Sequence, residues 1–199
     1  MTLIDRRPRS TRNRAGASVS LQVDDYDPCM KIGIVSDSHD RADAFMHALR
    51  EAVAAGAEAI LHCGDVIGAQ TLRPALCASV PVHVIHGNNL GDAQAMHRLA
   101  LQSGGTIHYH GPDARLELGG RKVFLVHYPD YGHAFACTGE WDLVCCGHSH
   151  VAESRRVANI KGGTTWLVNP GTIAGLAAPA TWVLGDLATM RFDLHTLSL

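Results

Sequence analysis

The chain has 199 residues, 46% of them hydrophobic and 18% charged, a size and balance suited to one globular domain with a buried core. Its formal net charge of −2 excludes a global positive field that would draw it to nucleic acid or an anionic membrane, and no run of about 18 apolar residues offers a spanning helix. The six cysteines include no C-x-x-C pair, which argues against a zinc ribbon or a thioredoxin-type motif and for free thiols in a reducing cytosol.

Residues 1–29 stand apart. Arg6, Arg7, Arg9, Arg12 and Arg14 crowd among Ser, Thr and Asn, and Asp24, Asp25, Asp27 and Pro28 follow. Low hydrophobicity reads as an unstructured N-terminal extension, and no apolar h-region of a secretory signal follows the arginines. An organelle presequence and a true start at Met30 are the alternatives. Residues 30–199 are read as one domain.

Residues 31–35, KIGIV, predict a strand, and SDSHD a polar loop after it. Residues 42–55 put Phe45, Met46, Leu49 and Val53 on one helical face. A second strand, EAILH at 58–62, ends in Cys63-Gly64-Asp65; the helix-like stretch after it is broken or kinked by Pro74. A third strand, VHVI at 82–85, ends in HGNNLGD, and a short helix follows near 93–102. This β-loop-α alternation predicts a parallel sheet with crossover helices, and such sheets gather ligands at the carboxyl ends of their strands. The second half changes style. ARLEL-GG-RKVFLVH reads as a hairpin turning on Gly119-Gly120. A loop and short helix lead to WDLVCC, which ends in GHSH. Strands near 153–158, 164–168, 181–185 and 190–194 read as a β-rich closing layer, with Asn169-Pro170-Gly171 as a turn. The class is α/β, with one mixed sheet or two.

Each strand end carries polar chemistry: Asp37-x-His39, Gly64-Asp65, Gly87-Asn88, His127, and Gly147-His148-x-His150. If these strands are neighbours running the same way, seven oxygen and nitrogen donors converge on one edge. Such donors, without thiolate, suit Mn²⁺, Fe or Zn²⁺. They are too many for one tetrahedral ion and fit two ions that share a carboxylate. Cys145 and Cys146 lie in the strand, where adjacent residues face opposite sides, so at least one points into a core. Cys63 is read as core too. His62, His83, His108 and His110 read as satisfied polar residues of the strands, Asp40 and Arg41 as caps of the first helix, and Asp92 as a cap of the helix after it.

In order, "MKIGIVSDSHD" (30–40), "HCGDVI" (62–67), "GNNLGD" (87–92), "VHYPDYG" (126–132), "GHSH" (147–150) and "NPGT" (169–172) resemble the calcineurin-like metallophosphoesterases. The tighter resemblance is to the small bacterial and archaeal phosphodiesterases, the branch that also contains the retromer subunit Vps29. It spans residues 30–195. It implies a four-layer α-β-β-α sandwich of two mixed sheets flanked by helices. It implies a first metal held by Asp37, His39 and His150, a second held by Asn88, His127 and His148, and Asp65 bridging both. The cofactor implied is a pair of divalent ions, Mn²⁺ foremost, with Fe, Zn²⁺ or Ni²⁺ also fitting. The activity implied is phosphodiester hydrolysis, in which a metal-bridging hydroxide attacks phosphorus in line, with Asp65, Asn88 and His127 central to activation and phosphate positioning.

Two positions depart from the family pattern. Many members carry a His after G-N that protonates the leaving group; here Asn89 stands there, and Leu90 stands where this branch commonly keeps Asp. An amide cannot act as a general acid. Activated aryl diesters are therefore expected to be cleaved better than alkyl ones, unless His133 or His86 supplies the proton. Arg41 and His133 are candidate contacts for the substrate phosphate. The short segment 128–141 leaves little room for a cap, so the site is expected to be open. The expected partner is a small phosphate ester, in the cytoplasm, with no membrane and no strong nucleic-acid signal; a homo-oligomer is compatible with the pattern. The competing readings are a catalytically silent Vps29-like scaffold, which loss of a metal ligand would favour, and a phosphomonoesterase or nucleotide pyrophosphatase on the same centre.

Overall fold

A computed structural model describes residues 29–198; the extension read over 1–29 lies, apart from Cys29, outside the described residues. In chain order the strands are β1 (Lys31–Val35), β2 (Ala59–His62), β3 (Val82–Val84), β4 (Ile107–Tyr109), β5 (Asp113–Leu118), β6 (Arg121–Val126), β7 (Leu143–Cys145), β8 (Ala152–Ala158), β9 (Thr164–Pro170), β10 (Thr181–Asp186) and β11 (Arg191–Thr196). The α-helices are α1 (Ala42–Ala54), α2 (Ala93–Gln102) and α3 (Pro129–Cys137), and Ala69–Cys77 forms a 3₁₀ segment.

The strands make two sheets, ordered β11-β10-β1-β2-β3-β4 and β5-β6-β7-β9-β8. In the first, β1 to β4 run parallel. In the second, β6, β7 and β9 do. Period-two alternation sorts the side chains into layers. Ile32, Ile34, Leu61, Leu125, Leu143 and Val183 fill the space between the sheets. On the outer face of the first sheet, Val35, Ile60 and Val82 pack against Phe45, Ala48 and Leu49 of α1. On the outer face of the second, Phe124, Val144 and Leu167 pack against Ala136 of α3. The result is the four-layer α-β-β-α sandwich. Cys145 faces the inter-sheet core and Cys146 the α3 side, so both belong to cores. Burial pushes the Cys63 and Cys146 thiols above their ordinary range, which removes thiolate from the chemistry nearby.

Three expectations need correction. The stretch after β2 is a 3₁₀ segment and not an α-helix, because Pro74 lies inside it and cannot give the N–H of an i→i−4 bond. A fourth parallel strand, β4, follows α2; its IHY sequence is only three residues long and half polar, too little to register as periodicity. The closing strands do not form one layer. Strands β8 and β9 join the second sheet, whereas β10 and β11 return to the first, with β10 antiparallel to β1. Strand β10 is apolar on both faces, Trp182 toward α1 and Val183 toward the inter-sheet core, which suits an interior position beside β1. Among the described residues, no helix is long and apolar enough to cross a membrane.

Candidate metal centre

The parallel strands of both sheets end at one edge. There the chain leaves β1 into Asp37 and His39, β2 into Asp65, β3 toward Asn88, β6 into His127 and β7 into His148 and His150. Most of these exits are sharp. Asp37, His39, Asp65, His148 and His150 have φ between 41° and 68°, a left-handed backbone that costs an L-residue about 1–2 kcal/mol. Such strain persists only where surrounding bonds over-determine it, and it clusters at functional sites. Here Asp37 N–H donates to Gly64 O at 3.0 Å and His39 N–H to Asp65 O at 3.0 Å, tying the β1 corner to the β2 corner. The Thr172 hydroxyl donates to Asp37 O at 2.8 Å, and the Asn169 amide to Gly147 O at 2.8 Å. The NPGT stretch, whose Asn169 and Pro170 end β9 where a turn was expected, thus braces two of the exits from behind. Glycine is required at two of the corners. A Cβ on Gly87 would strike the Asp65 carboxylate and come within 2.7 Å of His127 Nε2; one on Gly147 would strike the Ser36 hydroxyl and come within 2.7 Å of Asp37 Oδ2.

All seven expected side chains come together, in two halves. In the first half, His39 Nε2 and His150 Nε2 are 3.1 Å apart, and His150 Nε2 is 3.3 Å from Asp37 Oδ1. Asp37 Oδ2 accepts from His148 N–H at 3.0 Å, whereas Oδ1 is buried with no hydrogen-bond partner. In the second half, His127 Nδ1 donates to the Cys63 carbonyl at 2.8 Å. In the neutral ring this leaves a bare Nε2 lone pair, aimed at Asn88 Oδ1 at 3.0 Å and Asp65 Oδ1 at 3.4 Å. His148 Nδ1 lies 2.8 Å from the same Asn88 oxygen. Asp65 sits between the halves, with Oδ1 toward His127 and Oδ2 3.9 Å from His39 Nε2.

These acceptors face one another, and among the described residues no cationic side chain other than histidine lies in ion-pair range of the two carboxylates. Asp37 and Asp65 are 0% and 2% exposed, and among the described residues their ionic neighbours are histidines, never lysine or arginine. Burying carboxylates without cations costs several kcal/mol. Divalent ions would satisfy the orphaned Asp37 oxygen and the His127 lone pair together. The donor atoms of Asp37, His39 and His150, and those of Asp37, Asp65 and His127, each lie within 4.8 Å of one another. Oxygen and imidazole donors of this kind suit Mn²⁺, Fe or Zn²⁺.

Asn89 has a role that residue type alone did not reveal. Its N–H donates to Asp65 Oδ1 at 2.9 Å and its side-chain amide to Oδ2 at 2.6 Å, so it clamps the carboxylate shared by both halves. Each carboxylate oxygen keeps a lone pair free for a cation. His62 is another support: it accepts from Gly64 N–H at 3.2 Å on Nδ1 and meets Ser38 Oγ at 3.0 Å with Nε2. Burial, with a smaller contribution from His127, pulls its pKa down to about 3, so it stays neutral. Arg41 pairs with Asp43 through two 3.2 Å contacts and donates to Ala174 O; His133 contacts Cys137 and Arg155. Neither hydrogen-bonds any of the seven. Asp40 does not cap α1. It accepts from Gly68 N–H at 2.7 Å and Thr71 Oγ1 at 3.1 Å, and so caps the 3₁₀ segment, whereas Asp92 does cap α2, accepting from Ala95 N–H at 2.8 Å. His86 bonds Tyr109 OH at 2.8 Å and, with Tyr128, Tyr131 and Phe135, lines a cavity of about 270 Å³ that reaches His127. The clamp makes a test. Asn89→Ala should lower divalent-metal affinity about 10- to 100-fold, as loss of groups that orient metal ligands generally does, measured by calorimetric titration of chelator-stripped protein. Unchanged affinity would mean that Asp65 is held without it.

The calcineurin-like phosphoesterase superfamily domain matches residues 30–190. A phosphodiesterase of Methanocaldococcus jannaschii is 24% identical over 152 residues, covering 73% of this chain and 86% of that protein. Among solved structures, an archaeal phosphodiesterase superposes with a TM-score of 0.76 at 22% identity, covering 84% of this chain and all of the other. Vps29 of Chaetomium thermophilum superposes with a TM-score of 0.59 at 13% identity, covering 86% of this chain and 96% of that one. Fold, strand-end chemistry and family match agree, and the chain belongs to the calcineurin-like phosphoesterase superfamily.

Proposed function

We propose that the protein is a cytosolic phosphodiesterase that works with two divalent ions, Mn²⁺ foremost, on a small phosphate ester. The observation that carries this reading is Asp65: each of its oxygens faces a different half of the centre, one toward His127 and one toward His39. Asp37, His39 and His150 would hold one ion, Asn88, His127 and His148 the other, and Asp65 both. When bound, two such ions supply a hydroxide nucleophile near neutral pH and draw electron density from the phosphoryl oxygens. The chain's own residues do the rest. Only Asp37 and Asp65 bring negative charge, so the loaded centre stays positive and attracts a phosphate anion; the neutral Asn88 preserves that balance. Asn89 keeps the shared carboxylate in one orientation. His127 is held by the Cys63 carbonyl with its Nε2 toward the reaction edge.

A proton donor for the leaving group is the missing part. The Asn89 amide is committed to Asp65 and carries no acidic proton. Burial, and then His127, lower the His86 pKa, which disfavours the protonated ring that a donor needs. Leaving groups that depart as stable anions should therefore be preferred, and the cavity lined by Tyr128, Tyr131 and Phe135 suits a planar aryl group. The buried free thiols Cys63, Cys145 and Cys146 fit a reducing compartment.

Chelator-stripped protein should hydrolyse bis(p-nitrophenyl) phosphate only after Mn²⁺ is restored, and Asp65→Asn should lower kcat by roughly 100-fold or more, the scale on which charge-stabilising groups act. Metal-independent turnover, or none with any divalent ion, would contradict the proposal, and the second result would favour a binding scaffold. Separately, Tyr131→Ala should raise KM for this diaryl ester about fivefold, the worth of one aromatic contact near 1 kcal/mol, and leave kcat unchanged. An unaltered KM would remove the cavity from substrate binding.

A further inference from the structure

Three histidines that the reaction does not use stand together at the free edge of the first sheet. His83 is the middle residue of β3 and His108 of β4, and they are direct cross-strand partners. His110 follows two residues later, where its N–H still bonds Val84 O at 2.9 Å. Residues i and i+2 share one face of a strand, and a directly opposed residue stands about 5 Å away on that same face. An H-x-H pair on one strand and a His on the next therefore make a triangle. The ring centroids are 4.8 Å apart for His83 and His108, 5.3 Å for His83 and His110, and 6.4 Å for His108 and His110.

His83 Nδ1 lies 3.0 Å from His110 Nε2. The catalytic centre shows nearly the same spacing, 3.1 Å between His39 Nε2 and His150 Nε2. A tetrahedral ion with Zn–N bonds of about 2.0–2.1 Å holds its nitrogens about 3.3 Å apart, close to this contact; the two rings lie nearly parallel, 19° between their planes, and share a hydrogen bond, so binding an ion breaks that bond and turns the rings until both lone pairs point at it. His108 is exposed and His83 and His110 are half-buried, which leaves one side open to water; the His108 ring stacks on His83 at 16°, so it joins the other two at an ion by a change of side-chain rotamer on the solvent side. Burial, then His108 and His110, pulls the His83 pKa down to about 4, and burial and His108 lower that of His110. His83 is therefore neutral at pH 7 and His110 is shifted toward the neutral form, the form in which imidazole binds a metal without competing protons.

We propose that His83, His108 and His110 form a further metal site, separate from the catalytic centre, that takes a borderline transition ion of the Zn²⁺ class on three imidazoles and one water. The site has none of the carboxylate oxygens that suit Mn²⁺, so the two sites differ in preference. An ion there clips the three-residue strand β4 to β3.

The test uses the Mn²⁺-loaded enzyme titrated with Zn²⁺. Wild type should take up one more zinc per chain than the His83→Gln/His110→Gln variant, without releasing manganese, and that variant should keep its Mn²⁺-dependent turnover. His108→Ala, a change at an exposed side chain, should weaken this zinc about tenfold or more, the typical cost of losing one ligand-shell group. Equal zinc uptake by wild type and variant, uptake only as manganese leaves, or unchanged affinity in His108→Ala would overturn the proposal. The zinc difference is read whether or not Mn²⁺ supports turnover, so it stands or falls apart from the phosphodiesterase reading.

Discussion

Two carboxylates, Asp37 and Asp65, lie almost fully buried among imidazoles, and among the described residues no lysine or arginine pairs with them. A protein interior does not tolerate that arrangement without compensation. The loops around it bring five further donors close instead of excluding them. Everything at the edge of the sandwich serves this placement: the parallel strands aim their ends at one line, and the corners turn through left-handed backbone to point side chains inward.

The corners hold because they hold one another. The β1 corner bonds the β2 corner, the β7 exit bonds the carboxylate of Asp37 through His148 N–H, and Thr172 and Asn169 close the ring from the β9 side. This explains why the glycines precede ligands. A side chain at Gly87 would meet Asp65 and His127, and one at Gly147 would meet Ser36 and Asp37, so either would displace candidate donors. The layers behind the edge supply rigidity. Apolar side chains alternate between the inter-sheet core and the helix faces, and a one-residue slip of β1, β2, β3, β6 or β7 would turn the candidate donors at its end away.

Much of this was legible in the sequence because strand ends in parallel sheets collect function. Asp37, His39, Asp65, Asn88, His127, His148 and His150 each follow an apolar run, and their order along the chain suffices to group them. What escaped depends on geometry that residue type does not encode. Asn89 reads as a residue unable to donate a proton; its hold on both oxygens of Asp65 comes from the turn after β3. Asp40 stands beside α1 in sequence but reaches the 3₁₀ segment, because its corner is left-handed at φ 61°. Strand β4 is too short to show a period, and with it the grouping of His83, His108 and His110 was invisible. Cross-strand register, and not spacing along the chain, brings His83 to His108.

The chemistry follows from what is present and what is replaced. Seven donors in two halves suit a pair of cations around one shared carboxylate, and the replaced position, Asn89, exchanges a proton donor for a positioning amide. The most direct check of the shared carboxylate is crystallographic: crystals grown with Mn²⁺, measured for manganese anomalous scattering. Two peaks about 3.5–4 Å apart, one on each side of the Asp65 carboxylate, are the predicted result. A single peak, or two peaks that do not share Asp65, would contradict a dinuclear centre.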